Sequence, residues 1–137
     1  MIKVRQYRAE DRDALVKLWQ TVFPDDPPHN APEKVIDEKL RVDDLIFVAY
    51  HDNAMVGACM AGYDGHRGWL YAVAVLASCR RQGVGEQMIK HVLEHLKQLG
   101  CGKVNLQIRA DNTEVETFYR SLGFDVEERM SMGLRMT

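Results

Sequence analysis

Residues 80–85 read Arg80-Arg-Gln-Gly-Val-Gly85, two arginines and two glycines between the most apolar stretch of the chain and its longest helical pattern. Glycine at 83 and 85 lets the backbone turn tightly and approach a ligand without side-chain interference. A helix opening near Gly85 presents unpaired N–H groups and the positive end of its dipole, which suits phosphate oxygens. Arg80 and Arg81 add positive charge just ahead of it. The same residues also suit a plain strand-to-helix turn with its arginines in solvent, and the local sequence leaves both readings open. Two phosphate loops are excluded. A P-loop needs Gly-Lys-Ser/Thr where this chain has Gly85-Glu86-Gln87. A dinucleotide fingerprint needs an acidic residue about 20 positions on, where Asn105, Gln107 and Arg109 stand instead.

A second group with chemical capacity is Gly62-Tyr-Asp-Gly-His-Arg-Gly68. Asp64 can orient His66, and an imidazole titrating near ~6.5 can accept a proton from an amine. A solvated hairpin turn also favours Gly, Asp and His. Tyr119 follows Val115 by four residues on an apolar stripe, so periodicity alone makes it a core aromatic. The remaining histidines, His29, His51, His91 and His95, read as surface residues. Cys59, Cys79 and Cys101 lack C-x-x-C spacing, so neither a disulfide framework nor a metal site is expected.

These groups need elements to hold them. Ile2 and Val4 alternate with Lys3 and Arg5 as a first strand, and Leu15, Leu18, Trp19 and Val22 recur at helical spacing. All four prolines fall between Phe23 and Pro32, a loop, and Pro32 opens a second helix carrying Val35, Ile36 and Leu40. Strands follow at Leu45 to Tyr50 and at Met55 to about Ala61. Trp69 to Val75 is apolar on both faces and reads as a central strand. From Glu86 the apolar stripe Met88, Ile89, Val92, Leu93, Leu96 and Leu99 marks a long helix capped at Gly100. Val104, Leu106 and Ile108 alternate as a strand, and Thr113 with Glu116 reads as a capping box. Val126 to Met136 is expected as a last strand. The order is mixed α/β, around a sheet that must contain antiparallel hairpins.

With 137 residues the chain fits one domain, and eighteen Lys and Arg against twenty Asp and Glu leave a formal charge of −2. That balance argues against nucleic acid as a partner. The longest apolar run, Trp69 to Ala77, is far too short to cross a bilayer, so no membrane partner is expected. The N-terminus carries no basic stretch followed by an apolar core, which makes the cytoplasm the expected location.

An apolar strand, then Arg80-x-x-Gly83-x-Gly85, then a long helix resembles the acetyl-CoA signature of the GNAT superfamily of N-acetyltransferases. Asn112, Tyr119, Gly123 and Phe124 resemble a second pattern of that family, an Asn seven residues before a Tyr with Gly-Phe shortly after. The resemblance spans Met1 to Thr137. It implies one N-acetyltransferase domain over 1–137, a mostly antiparallel twisted sheet of about six to seven strands, and about four flanking helices. It also implies that the backbone of Val73, Ala74 and Val75 pairs with the pantetheine arm and holds the thioester carbonyl. By the same resemblance the amides of Gln82, Gly83, Val84 and Gly85 cradle the pyrophosphate, with Arg80 and Arg81 nearby. Asn112 contacts the pantetheine region, and Tyr119 faces the sulfur and protonates the departing thiolate. Acetyl-CoA is then the acyl donor, no metal is required, the acceptor is a primary amine of a small molecule or peptide, and a homodimer stays open.

The pattern departs from the family at two points. Ala77 and Cys79 replace the usual Pro and aromatic before the arginines. Leu106-Gln107-Ile108-Arg109 stands where ribosomal-protein N-terminal acetyltransferases have Leu-Glu-Val-Arg with Glu as base. Gln107 cannot accept a proton, which argues against acetylation of protein N-termini. The loop Gly62 to Gly68 resembles that of YpeA-type bacterial acetyltransferases, and assigns the missing proton acceptor to His66 with Asp64. Without any base, the same fold serves as a non-catalytic acyl-CoA-binding or partner-binding module.

Overall fold

The alternating residues at the N-terminus form β1 (Ile2–Gln6), and the apolar runs form β2 (Ile46–His51), β3 (Ala54–Tyr63) and β4 (Gly68–Val75). A fifth strand, β5, is only Val104–Asn105. The sheet order is β1-β2-β3-β4-β5; the first four strands are antiparallel and β5 runs parallel to β4. Four helices accompany them: α1 (Arg12–Val22), α2 (Pro32–Leu40), α3 (Val84–Gln98) and α4 (Thr113–Ser121). The computed structural model describes all 137 residues, which divide into two units, Met1–Gln107 and Ile108–Thr137.

In the first unit the sheet carries helices on both faces, because β2 and β3 are apolar on both sides. Ile46, Val48, Ala58 and Ala74 pack with Leu15, Leu18 and Trp19 of α1 and Ile36 of α2. The opposite face takes α3. Its stripe residues Met88, Ile89, Val92 and Leu96 are buried, and His91 and His95 set their ring edges against Phe47 at 5.9 and 5.2 Å. These two histidines thus shield a core aromatic. No helix is long and apolar enough to cross a membrane.

Asp11 is the one buried charged side chain, 2% exposed. Its carboxylate accepts two bonds from Arg5 at 2.7 and 2.9 Å, one from the Tyr50 hydroxyl at 2.8 Å and one from the Arg8 amide at 2.8 Å. The network ties β1 to β2 and to the start of α1. Burial pushes the carboxyl up, and the bonds from Arg5, Arg8 and Tyr50 together outweigh it, drawing Asp11 from 3.8 down to about 2. A carboxylate depressed on folding stabilises above its unfolded pKa and loses that contribution as pH falls through its folded pKa. The shift corresponds to about 2 kcal/mol. Asp11→Asn is expected to be less stable than wild type at pH 7, and the gap is expected to shrink between pH 4 and pH 2. Urea unfolding of both proteins across that range checks this; a gap independent of pH would refute it.

In the second unit α4 carries Tyr119 in its last turn. Its N-cap is Asn112, whose Oδ1 accepts the Val115 amide at 3.2 Å, not Thr113 as the capping-box reading expected. Two other expectations change. Leu106 and Ile108 continue the alternation of Val104 yet lie outside the sheet, and residues 126–136 form no strand. Met130, Met132, Leu134 and Met136 keep a period of two but are 86–90% exposed. Alternation sets side-chain faces, whereas a strand exists only where a neighbour completes its ladder. The sheet therefore has five strands rather than six or seven, with the mostly antiparallel order and four helices as expected.

Candidate functional site

β5 reaches β4 only at Gly68 and Trp69. A Cβ on Gly68 would lie 2.7 Å from Cys101 Sγ and 3.2 Å from Val104 Cγ2, so glycine is what admits β5 there. Past Trp69 the β5 ladder ends and β4 has an edge to offer. Gly68 donates towards β5, to the Lys103 carbonyl at 2.9 Å. Backbone groups of successive strand residues point to alternate sides, so the even-numbered residues of early β4 face β5. Leu76, just beyond the strand, donates the opposite way, to Val56 at 2.9 Å. The even-numbered residues of late β4 therefore face β3, and Val73 and Val75 face the edge that β5 has left.

The phase changes at a bulge. Met60 and Ala58 of β3 oppose Tyr71 and Ala74, so three steps of β4 match two of β3. Ala72 inside it has φ +48°, a conformation costing a non-glycine residue about 1–2 kcal/mol. One extra residue thus decides which amides face this edge.

β4 runs through a 3-10 turn at Ala77–Cys79 into residues 80–83 and then α3. Arg81 and Gly83 both take left-handed φ, +66° and +82°. Such alternation gathers successive N–H groups into an anion-binding concavity. α3 starts at Val84, two residues before the expected Glu86, so the amides of Val84, Gly85 and Glu86 belong to its unpaired first turn. Gln82 fixes the turn by donating Nε2–H to the Ser78 carbonyl at 3.2 Å. Arg80 and Arg81 are exposed beside it, while Val84 is buried. Val84 sits over Gly57, where a Cβ would come within 3.1 Å of the Ala74 carbonyl and 3.3 Å of Val84 Cγ1. Gly57 therefore sets how closely the helix start approaches the sheet. The sequence reading missed it, although a glycine inside an apolar strand is the usual mark of such an approach.

The other expected residues divide. Tyr119 is 6% exposed, its ring edge-on to Phe118 at 5.0 Å and Phe124 at 5.5 Å. It is a core aromatic of its unit as well as a candidate acid. Asn112 spends its side-chain oxygen on the cap of the helix that carries Tyr119. Asp64 and His66 are exposed at the β3–β4 hairpin tip. Asp64 Oδ1 accepts the amides of His66 and Arg67, both at 2.8 Å; these bonds hold its carboxyl below the ordinary carboxylate range. The carboxylate thus builds the turn. The tip lies beyond Gly68, and five strand steps to Val73 span about 16 Å. His66 thus stands at the opposite end of β4 from Val73 and Val75.

Cys59 is fully buried, and burial pushes its thiol up to about 12 despite a bond from the Tyr71 amide, so it is no nucleophile at neutral pH. No three His, Cys, Asp or Glu side chains gather as metal ligands.

The chain has counterparts among known proteins. The acetyltransferase (GNAT) family profile matches residues 12–124. Proteins named acetyltransferase in Pectobacterium atrosepticum and Sodalis glossinidius are 34% and 35% identical over 138 and 130 residues. The first match covers 98% of this chain and 96% of the relative, the second 93% and 89%. In three dimensions the chain resembles AAC(6')-Iy, solved in complex with the bisubstrate analogue CoA-S-monomethyl-acetylneamine. That likeness has a TM-score of 0.84 at 23% identity and covers 100% of this chain and 99% of the other. By the family match over most of its length, and by relatives sharing a third of its residues end to end, this chain belongs to the GNAT family of acetyltransferases.

Proposed function

We propose that the protein transfers the acetyl group of acetyl-CoA to a primary amine of a small molecule or peptide, by direct attack in a ternary complex. The carrying observation is the change of phase in β4, which turns the Val73 and Val75 amides to the freed edge immediately before the turn at Arg80–Gly85. In this reading Gln82 to Gly85 hold the pyrophosphate through backbone amides, helped by Arg80 and Arg81. The pantetheine arm lies along Val73, Ala74 and Val75, and an edge amide polarises the thioester carbonyl. The amine nitrogen attacks the carbonyl carbon, the C–S bond breaks, and Tyr119 donates its hydroxyl proton to the sulfur. The proton lost by nitrogen passes to water, and Tyr119 regains its proton from water.

An alkylamine with a pKa near ~10.4 is almost wholly protonated at pH 7, so the rate should climb with pH until the free amine dominates. Because the hairpin tip is remote from the Val73 edge, His66→Gln is expected to leave the acidic limb of kcat/KM where it is. A limb displaced in that variant would restore His66 as the proton carrier. The reading as a whole is tested by thiol release from acetyl-CoA against a panel of polyamines, aminoglycosides, amino acids and peptides. Turnover with any of them supports it. Binding of acetyl-CoA with no turnover across the panel supports the second reading, a non-catalytic acyl-CoA-binding module. The observation favouring that alternative is specific: β4 holds neither carboxylate nor histidine, and Gln107 stands where a base was expected.

A further inference from the structure

Trp19 lies in α1, 4% exposed, and donates its indole Nε1–H to the Ala72 carbonyl at 3.0 Å. That carbonyl belongs to the residue of β4 held at φ +48°. A bulge takes a backbone group out of the ladder, and a buried carbonyl without a partner is unfavourable. The indole supplies the partner. Trp19 belongs to the buried core cluster that also holds Leu15, Leu18, Ile36, Ala58 and Ala74, so the donor is carried by the core. A phenylalanine would fill much of that space; only tryptophan brings an N–H to this point.

We propose that Trp19 is a positioning residue for acetyl transfer, its indole N–H clamping the β4 bulge in the phase that turns Val73 and Val75 to the thioester. The proposal rests on the reading of the β4 edge given above. A left-handed alanine persists only where its surroundings over-determine it, and this bond is the surrounding that does so. Without it the bulge can relax, and a shift of one residue along β4 would aim Ala74 at the edge instead. The turn that binds pyrophosphate is anchored separately, through Val84 on Gly57 and Gln82 on Ser78. Loss of the clamp should therefore impair chemistry while sparing the grip on CoA.

The test is Trp19→Phe, which keeps an aromatic ring in the core and deletes the donor. Acetyl-CoA labelled with carbon-13 at the thioester carbonyl reports the contact directly by difference infrared spectroscopy. Wild type is expected to shift the carbonyl band to lower wavenumber on binding, and Trp19→Phe to lose most of that shift. With an amine that wild type acetylates, kcat should fall about tenfold or more, since small misplacements of reacting atoms are costly. The Kd for CoA should stay within about twofold, the pattern of an interaction made at the reacting centre. Adding Ala72→Gly should recover band shift and rate, because glycine takes a positive φ without a clamp. If Trp19→Phe is too unstable to titrate, the double variant carries the test by the same band. A full shift in Trp19→Phe, equal losses in kcat and CoA affinity, or a folded double variant without the shift would each overturn the role of Trp19. A wild-type protein that binds acetyl-CoA with no shift at all overturns the reading of the β4 edge itself.

Discussion

A Gly83→Val variant is expected to bind CoA roughly thirtyfold more weakly, about 2 kcal/mol, while remaining folded. Gly83 has φ +82°, and a Cβ built there meets nothing within 4 Å. The protein therefore has room for a side chain, and the cost to folding is the left-handed conformation, about 1–2 kcal/mol and greatest for a β-branched residue. The cost to binding has two sources. If the backbone keeps its conformation, an isopropyl group stands among amides proposed to face the pyrophosphate. If the backbone escapes the strain, the alternation of Arg81 and Gly83 that gathers those amides is lost. Either way affinity falls while the protein stays folded. Calorimetric titration with CoA, beside thermal melts, separates the two. Unchanged affinity in a folded Gly83→Val protein would remove this turn from the binding site.

Much of the first unit is legible in the sequence because each of its elements buries a face. The period-two and period-3.6 patterns of β1 to β4 and α1 to α3 are imposed by packing, and boundaries agree within a few residues where a Pro or Gly marks the end. The strands that do not form have one cause. Leu106, Ile108, Met130, Met132, Leu134 and Met136 alternate like strand residues, yet alternation is blind to whether a neighbouring ladder is there to receive them. Capping fails more locally: Thr113 with Glu116 fits a capping box, but Asn112 one residue earlier is an equally good cap and takes the Val115 amide.

The turn at residues 80–83 is legible at Gly83 for a different reason. Left-handed backbone at residue 83 nearly requires glycine, so conformation is written in the residue type. The bulge at Ala72 is not written that way. An alanine among valines in an apolar strand gives no sign of positive φ, and its support comes from Trp19, fifty-three positions earlier in the chain. Asp64 and His66 pose the converse case. Their types suit proton transfer, but the register from Gly68 to Val75 decides how far they stand from the Val73 edge, and register is invisible in composition. The proposed chemistry relies largely on backbone amides, which every residue has, so a search for reactive side chains finds little of it.

Tyr119 is the side chain for which both readings are physically sound, and removing its oxygen separates them. Tyr119→Phe keeps the ring between Phe118 and Phe124 and deletes only the hydroxyl, so a purely packing role predicts near-normal turnover. As proton donor to the departing sulfur, Tyr119 is needed when the C–S bond breaks and hardly before. The expected result is then a kcat lower by about ten- to a hundredfold, with acetyl-CoA affinity within about twofold of wild type. The lower part of that range reflects the leaving group: a thiolate departs tolerably well without a proton. Steady-state kinetics with a good amine acceptor, beside calorimetric titration with acetyl-CoA, makes the measurement. Equal losses in kcat and affinity would mean that the hydroxyl binds the coenzyme rather than the transition state. An unchanged kcat would leave Tyr119 as a core aromatic, with the thiolate leaving unassisted and the backbone of β4 carrying the catalysis alone.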